Sequence, residues 1–455
     1  MSKLKGYKGK SLDYLRAKDV NIGDSIKIIS DLTYIGILMP RYETSDDSHI
    51  VLKLKSGYNI GIELNEIKDI EKISSPEEVV DKKNVKKTDS SLPKILLLST
   101  GGTIASKVDY RTGAVTPALT ASDLNDAVPE IANIANIDAE VLFSEYSENL
   151  QPQHWIDTAK KIESVANSNY KGIIVAHGTD TMHYSSAFLS FALSGLKIPV
   201  VFVGSQRSSD RPSSDAASNL IAATRFIAQT DTTGIYIVMH HNESDETISC
   251  HFGTRVRKNH TSKRSAFETV GNDPAFLILD GKIIKNSTEN FFKDQYFNPR
   301  LGIDTKVALV KYHPGYEPKQ IETLIDLGFK AIIFEGTGLG HVGKTMYNAV
   351  KKAKECGLFL GMTSQCIDGR VRMTVYESGR DLLEMGIVPL ENMMPEVALV
   401  KTMWALGNSN DNNDLTKLLL ENIASEFSGW IWNDWIENRW NWLESWFRNS
   451  STVRH

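Results

Sequence analysis

The sequence predicts an α/β fold: a two-part parallel-sheet unit preceded by a small β-barrel-like domain. Three observations carry this expectation. Short continuous apolar runs recur from Lys94 onward, as in strands buried on both faces. Helix-period segments lie between them, the alternation of a doubly wound sheet. Before residue 75 the pattern alternates with period two instead.

In the N-terminal region Ile26 and Ile28 alternate with Ser25 and Lys27, and Tyr34 to Met39 supplies a further strand. Ile50, Leu52 and Leu54 alternate with Val51, Lys53 and Lys55. After the break at Ser56-Gly57, Ile60, Ile62 and Leu64 alternate with Asn59, Gly61 and Glu63. Two alternating runs around a short Gly turn form a hairpin. This places a β-rich domain at 1–75, of a kind that binds something or braces a neighbour. A charged, Ser-rich linker follows at 76–91. Its Lys82, Lys83, Lys86 and Lys87 read as a solvated tether, with an auxiliary contact to an RNA backbone as the sharper alternative.

The buried runs then fall at Lys94–Ser99, Gly172–Ala176, Val200–Gly204 and Gly234–Met239, with helices over Ser185–Ser194 and Ala216–Gln229. They define a large α/β domain at 92–285. A polar, aromatic connection at 286–300 leads to a smaller α/β domain at 301–420. That domain has strands at Val307–Lys311, Ala331–Glu335 and Leu358–Thr363, and helices at Gln320–Gly328 and Lys344–Cys356. Residues 421–455 form a C-terminal extension.

Composition excludes several classes. The 455 residues suit about three domains at ~150 residues each. A content of 41% hydrophobic and 24% charged residues excludes disorder along the whole length. The net charge of -5 provides no global positive field for nucleic acid. Cys250, Cys356 and Cys366 are too few and scattered for a disulfide framework, and no metal-type spacing appears. No stretch reaches the ~18–20 apolar residues of a membrane span. The N-terminus lacks the apolar core of a secretory signal, so a cytoplasmic location is expected.

Open parallel sheets bind ligands beyond the carboxyl ends of their strands. Three strand ends there combine glycine with hydroxyls or charge: Ser99-Thr-Gly-Gly-Thr-Ile-Ala105, Ala176-His-Gly-Thr-Asp-Thr-Met182 and Gly204-Ser-Gln-Arg207. Neither nucleotide fingerprint fits them, because the spaced third glycine and the Gly-Lys-Ser/Thr ending are both missing. Two threonines at neighbouring strand ends suggest hydroxyl nucleophile chemistry, which needs a base or a relay. Asp180 suits a relay or the grip on a ligand ammonium. A lysine near a carboxylate can accept the proton. Thr254 to Arg264 offers several cations, and pattern does not choose among them.

Thr100-Gly-Gly-Thr-Ile-Ala105 and His177-Gly-Thr-Asp-Thr-Met182, in this order and each after a buried strand, resemble the two signatures of the bacterial-type L-asparaginase/glutaminase family. The resemblance spans about 92–420 and includes Gly204-Ser-Gln-Arg207. It implies a catalytic set of Thr103, Thr179, Asp180 and Lys258. Lys258, nine residues before Phe267, sits where the family places its lysine. It further implies substrate contacts from Tyr110, on a lid loop with Gly113 behind it, and from Ser147-Glu148, the pair that grips the α-amino and α-carboxylate groups. The first buried strand starts only at Lys94, and the segment Met393-Met-Pro-Glu-Val-Ala-Leu-Val-Lys-Thr-Met-Trp404 lies in the C-terminal part of the second domain. Both features resemble the D-subunit family of archaeal glutamyl-tRNA(Gln) amidotransferases. That resemblance implies a glutaminase that releases ammonia for a partner, the E subunit of the amidotransferase. The partner binds Glu-tRNA(Gln), uses ATP and Mg, and makes Gln-tRNA(Gln). It implies no cofactor in this chain and a homodimer core flanked by partner subunits.

In the implied mechanism Thr103 attacks the glutamine amide, giving an acyl-enzyme and ammonia, and water completes the hydrolysis. Thr179 is the alternative nucleophile. Thr179, Asp180 and Lys258 form a proton relay whose lysine needs a lowered pKa, with Arg255 and Arg257 as sources of positive charge. Backbone N–H groups at Gly102 or Gly178 would hold the oxyanion. The plainer readings make Thr103 and Asp180 helix caps and Lys258 a surface cation, with Lys263 as its competitor. His177 and His183 read as structural, without metal-ligand spacing. The acidic residue that many asparaginases donate from a neighbouring subunit's small domain has no clear counterpart near Ser378 to Gly386.

A stand-alone asparaginase with an accessory N-terminal domain, and an inactive scaffold, are the competing functions. Residues 1–75 weigh against the first and the intact four-residue set against the second. Six of eight tryptophans lie between Trp430 and Trp446. Trp432, Trp435, Ile436, Trp442, Leu443 and Trp446 fall near one helical stripe, an interaction face or a lineage-specific extension. Arg439 and Arg448 are outnumbered by Asp434, Glu437 and Glu444, which disfavours membrane docking.

Overall fold

The structure is a computed structural model that describes residues 4, 6–41, 45–54, 59–74, 90–101, 106–109, 114–117, 128–207, 214–287 and 296–427. Thr103, Tyr110, Gly102, the four linker lysines and the Trp-rich stripe lie outside the described residues. Among the described residues no helix is long and apolar enough to cross a membrane.

The N-terminal module contains strands β1 (Ser25–Ile29), β2 (Thr33–Leu38), β3 (His49–Leu54), β4 (Asn59–Glu63) and β5 (Asp69–Ser74) in one antiparallel sheet, ordered β4-β3-β2-β1-β5. The expected hairpin is β3–β4, with Ile50 opposite Ile62 and Leu52 opposite Ile60. The period-two pattern therefore sends one set of aliphatics inward. Ile26, Ile28, Leu38, Ile50, Leu52, Ile62 and Ile70 form the core. A helix, Gly9–Ala17, adds Leu15 to that core. Its helical period is too short to read: Ser11 and Leu15 are its buried residues.

In the large domain β6 (Lys94–Ser99), the hairpin β7 (Ser106–Asp109) and β8 (Ala114–Pro117), β9 (Asn136–Val141), β10 (Gly172–Ala176), β11 (Pro199–Val203) and β12 (Gly234–His240) come first. Strands β13 (Thr247–Phe252), β14 (Val256–Lys258), β15 (Phe267–Thr269), β16 (Phe276–Leu279) and β17 (Lys282–Lys285) follow. The main sheet runs β17-β16-β13-β12-β11-β10-β6-β9. Its β9-β6-β10-β11-β12 part is parallel, as the buried runs require. From β12 to β17 it turns antiparallel. Ile248, Cys250 and Phe252 of β13 join the core, while Ser249 and His251 are buried on the other face. Polar residues on a strand buried on both faces conceal the apolar run.

Helix Ala216–Gln229 packs Leu220, Ala223, Phe226 and Ile227 onto Ile174, Val201, Val203 and Tyr236. Fully burying each large side chain of this kind contributes roughly 1.5–3 kcal/mol. Helix Met182–Ala192 is buried almost all round, and its Phe188 stacks on Trp155 at 5.7 Å.

Among the described residues, chain contacts divide the protein into two compact units, one within 1–305 with Met403–Asp411, and the other Lys306–Thr402 with residues 412–427. The second unit carries a parallel sheet, β18 (Val307–Lys311), β19 (Ala331–Gly336), β20 (Phe359–Ser364) and β21 (Val388–Pro389). Helices Lys319–Asp326, Tyr347–Glu355 and Glu377–Glu384 alternate with its strands. The expected helix from Lys344 opens as a 3-10 turn, Lys344–Met346.

Candidate active site

Strands β6 and β10 pair in parallel with Ser99 opposite Ala176, so the loops that follow both leave the same sheet edge. Thr100 ties them, donating its N–H and its Oγ1 hydrogen to the Ala176 carbonyl, each at 3.0 Å. Gly101 adopts φ +113°, a conformation open to glycine, and an added Cβ would lie 2.1 Å from the Glu145 carbonyl oxygen. The 145–149 segment therefore runs directly over this strand end. Its Ser147 is buried beside Gly178, where a Cβ would come 2.8 Å from Ser147 Cβ. Thr181 Oγ1 donates to the Ser147 carbonyl at 2.7 Å, and the Glu148 side chain is exposed. The expected grip pair thus stands beside the 177–182 loop.

Within that loop His177 is a structural residue. Its Nδ1 lies 2.6 Å from the Gly178 carbonyl and its Nε2 2.9 Å from Ser185 Oγ. The carbonyl can only accept, so Nδ1 carries the proton and Nε2 accepts from Ser185. Burial pushes the His177 pKa down to about 4.

The cation comes from the β14–β15 hairpin, where Lys258 pairs with Phe267. Lys258 Nζ lies 2.8 Å from Thr179 Oγ1 and 2.6 Å from Asp180 Oδ1. The Lys258 side chain is 10% exposed and that of Asp180 65% exposed, so the pair faces outward through the carboxylate. Among the candidates that pattern left open, Lys263 is exposed and Arg255 fully buried. The structure thus brings together Thr179, Asp180 and Lys258, and sets Ser147 and Glu148 beside them. Asp180 does not cap the following helix, whose N-cap is Thr181.

The sequence pattern gave no account of how the third strand end is held. Asp215 is fully buried and accepts from Gln206 N–H at 3.0 Å, Arg207 N–H at 2.9 Å and Asn219 Nδ2 at 3.0 Å. Asn219 Nδ2 also donates to the Gly204 carbonyl at 3.0 Å. The available signal was a polar Asp215/Asn219 pair, spaced i,i+4, at the start of an apolar helix. Chemically, the site offers a threonine hydroxyl within reach of an amine, a carboxylate that orients that amine, and backbone N–H groups at a glycine-bearing strand end.

Comparison with known proteins agrees with this arrangement. Residues 94–290 match the family "Asparaginase, N-terminal", residues 306–419 the "Glutaminase/Asparaginase C-terminal domain" and residues 20–73 the "GatD N-terminal domain". The chain is similar to the D subunit of glutamyl-tRNA(Gln) amidotransferase from Pyrococcus furiosus, with 46% identity over 91% of this chain and 97% of the relative. It is also similar to the D subunit from Methanopyrus kandleri, with 42% identity over 94% and 96%. Among solved structures it resembles the thermostable L-asparaginase from Thermococcus kodakarensis, with a TM-score of 0.66 and 31% identity, covering 74% of this chain and 100% of that one. A catalytic fold of asparaginase type joined to a GatD-type N-terminal domain leaves one conclusion: the chain belongs to the D-subunit family of glutamyl-tRNA(Gln) amidotransferases.

Proposed function

We propose that this chain is the glutaminase subunit of a tRNA-dependent amidotransferase. It hydrolyses glutamine to glutamate and ammonia, and the E subunit uses the ammonia with ATP and Mg to convert Glu-tRNA(Gln) to Gln-tRNA(Gln). The observation that carries this reading is Lys258 Nζ within hydrogen-bond reach of both Thr179 Oγ1 and Asp180 Oδ1. The chain itself needs no cofactor for this chemistry, and it works in the cytoplasm as a homodimer core with its partner subunits.

In the reaction the Thr103 hydroxyl attacks the amide carbon. Its proton passes through the Thr179–Lys258 relay to the leaving nitrogen, which departs as ammonia. Lys258 passes that proton on, and Asp180 aims the amine. The register of β6 on β10 supports this reading, since Ser99 stands opposite Ala176 and the chain leaves the same sheet edge after both. Backbone N–H of Gly178 or Gly102 stabilises the tetrahedral oxyanion, and loss of one such donor costs roughly 3–4 kcal/mol. Ser147 and Glu148 hold the α-amino and α-carboxylate groups. Water on the acyl-threonine then releases glutamate and restores the hydroxyl.

The test is glutamine hydrolysis by the chain alone and by the chain with the E subunit and charged tRNA. Hydrolysis should rise in the second case, and the chain should carry the E subunit through purification. Asparagine hydrolysis at full rate by the isolated chain, faster than that of glutamine, overturns this reading.

A further inference from the structure

A ring of contacts leads from Lys258 back to its own hairpin. Lys258 touches Thr179, and Thr179 lies against Gly204, where an added Cβ would come 2.8 Å from Thr179 Cγ2. The Gly204 carbonyl accepts from Asn219 Nδ2 at 3.0 Å. Asn219 Oδ1 faces His240 Nδ1 at 2.6 Å. His240 Nε2 faces Arg264 Nη2 at 3.1 Å. Arg264 belongs to the β14–β15 hairpin that bears Lys258. Asn219 and His240 are fully buried and Arg264 is 9% exposed.

The donors and acceptors define how His240 works. Asn219 gives its amide hydrogens to Gly204 and Asp215, so its Oδ1 accepts and His240 Nδ1 carries a proton. Arg264 can only donate, so neutral His240 accepts from it at Nε2. Asp245 Oδ1 stands 2.9 Å from that same Nε2 and is ion-paired with Arg264. If His240 gains a second proton, Nε2–H turns to Asp245, and Arg264 loses its contact with His240 while keeping Asp245 and the Glu243 carbonyl as acceptors. The charged groups around the ring are Asp215 at the start of helix Ala216–Gln229, Asp245 on the β12–β13 turn and Arg264 on the hairpin. Burial holds His240 below the usual histidine range, with Arg264 adding to the effect while Asp245 and Asp215 oppose it.

We propose that His240 is a positioning residue for the amidase site: by bridging Asn219 and Arg264 it fixes the hairpin that carries Lys258 against the strand end that backs Thr179. The proposal rests on the reading of Thr179, Asp180 and Lys258 as the glutaminase set. Lys258 must hold its place to a fraction of an ångström, and a hairpin of short strands does not secure that alone.

The experiment measures steady-state glutamine hydrolysis by the full chain co-purified with the E subunit. The unaltered complex comes first: absence of turnover overturns the glutaminase reading and the proposal with it. Given turnover, His240→Phe, which fills the ring's volume without its nitrogens, should lower kcat about tenfold or more while KM stays within about twofold. His240→Gln, which regains an acceptor for Arg264, should recover at least about threefold of that loss. Asp245→Asn, at a 66% exposed side chain, removes the group that favours a proton on His240, so the acid limb of kcat should move to lower pH. A merely structural histidine would shift melting temperature without moving that limb. With the unaltered complex active, kcat of His240→Phe within about twofold of it overturns the proposal alone. So does an unmoved acid limb in Asp245→Asn, which decides the matter if the Phe variant does not fold.

Discussion

Lys258 Nζ and Thr179 Oγ1 lie 2.8 Å apart although 79 positions of sequence separate them. The hairpin that delivers the lysine leaves the antiparallel part of the sheet, and the threonine leaves the parallel part. The two meet where β10 ends, and the catalytic expectations converge on that meeting.

Removing the amine should stop the chemistry and spare the fold. Lys258→Ala and, separately, Thr103→Ala should each lower glutamine turnover by at least ~10²-fold. The Lys258–Asp180 pair opens to solvent through a 65% exposed carboxylate, so its loss should cost at most ~1 kcal/mol of stability. Turnover assays paired with melting curves check both. Retained activity in either variant removes that residue from the mechanism.

Gly178 sets the position of the substrate grip. In Gly178→Ala the new methyl would stand 2.8 Å from Ser147 Cβ and 3.0 Å from its Oγ, pushing Ser147 and Glu148 off the site. The KM for glutamine should rise about fivefold or more, with a smaller fall in kcat. A Michaelis curve with unchanged KM would show that Ser147 and Glu148 do not hold the substrate.

His177 makes stability depend on pH. Burial lowers its pKa to about 4 in the folded chain, against ~6.5 when unfolded. Its contribution is complete above pH ~6.5 and declines as pH falls towards 4, because the unfolded chain binds the proton first. The loss by pH 4 should be on the order of 3 kcal/mol. Denaturant unfolding between pH 7 and 4 should show a shallower slope for His177→Gln than for the unaltered chain. Equal slopes would mean that His177 titrates alike in both states.

The second unit contains a fully buried ion pair, Lys401 with Glu426, both side chains 0% exposed. Glu426 also accepts from the N–H groups of Ile423 and Ala424 at 3.0 and 2.6 Å, and Lys401 donates to the Leu419 carbonyl at 3.0 Å. Lys401→Met alone leaves a buried carboxylate unmatched and should cost about 3–5 kcal/mol. Lys401→Met with Glu426→Gln should recover part of that, since the neutral amide removes the unmatched charge and its oxygen keeps an acceptor for the Ile423 and Ala424 N–H groups. Thermal unfolding of the single and double variants checks this; a double variant no more stable than the single contradicts it.

The parallel strands were legible because their signal is local. Lys94–Ser99 carries the unbroken apolar run Ile95–Leu98 and Gly172–Ala176 has no polar side chain, as strands covered on both faces require, and they appear with those bounds. The N-terminal hairpin was legible for the same reason, through Ile50, Leu52, Ile60 and Ile62. β13 was not, because Ser249 and His251 are buried among helix and sheet, and burial satisfied by partners such as His241 and Thr269 leaves no apolar mark. Helix Gly9–Ala17 escaped because a helix this short shows too little of its period.

Residue order alone established the α/β alternation, the two threonine-bearing strand ends and the family that carries them, because side-chain periodicity and loop motifs are properties of neighbours in sequence. Tertiary structure decided which cation of Arg255, Arg257, Lys258, Lys263 and Arg264 meets Thr179 and Asp180. It also decided that Asp215, Asn219 and His240 stand behind that meeting. Those choices depend on hairpin register and on the packing of a helix across the sheet. Long-range contact of this kind is selected by the free energy of the whole core, so no local window of sequence contains it.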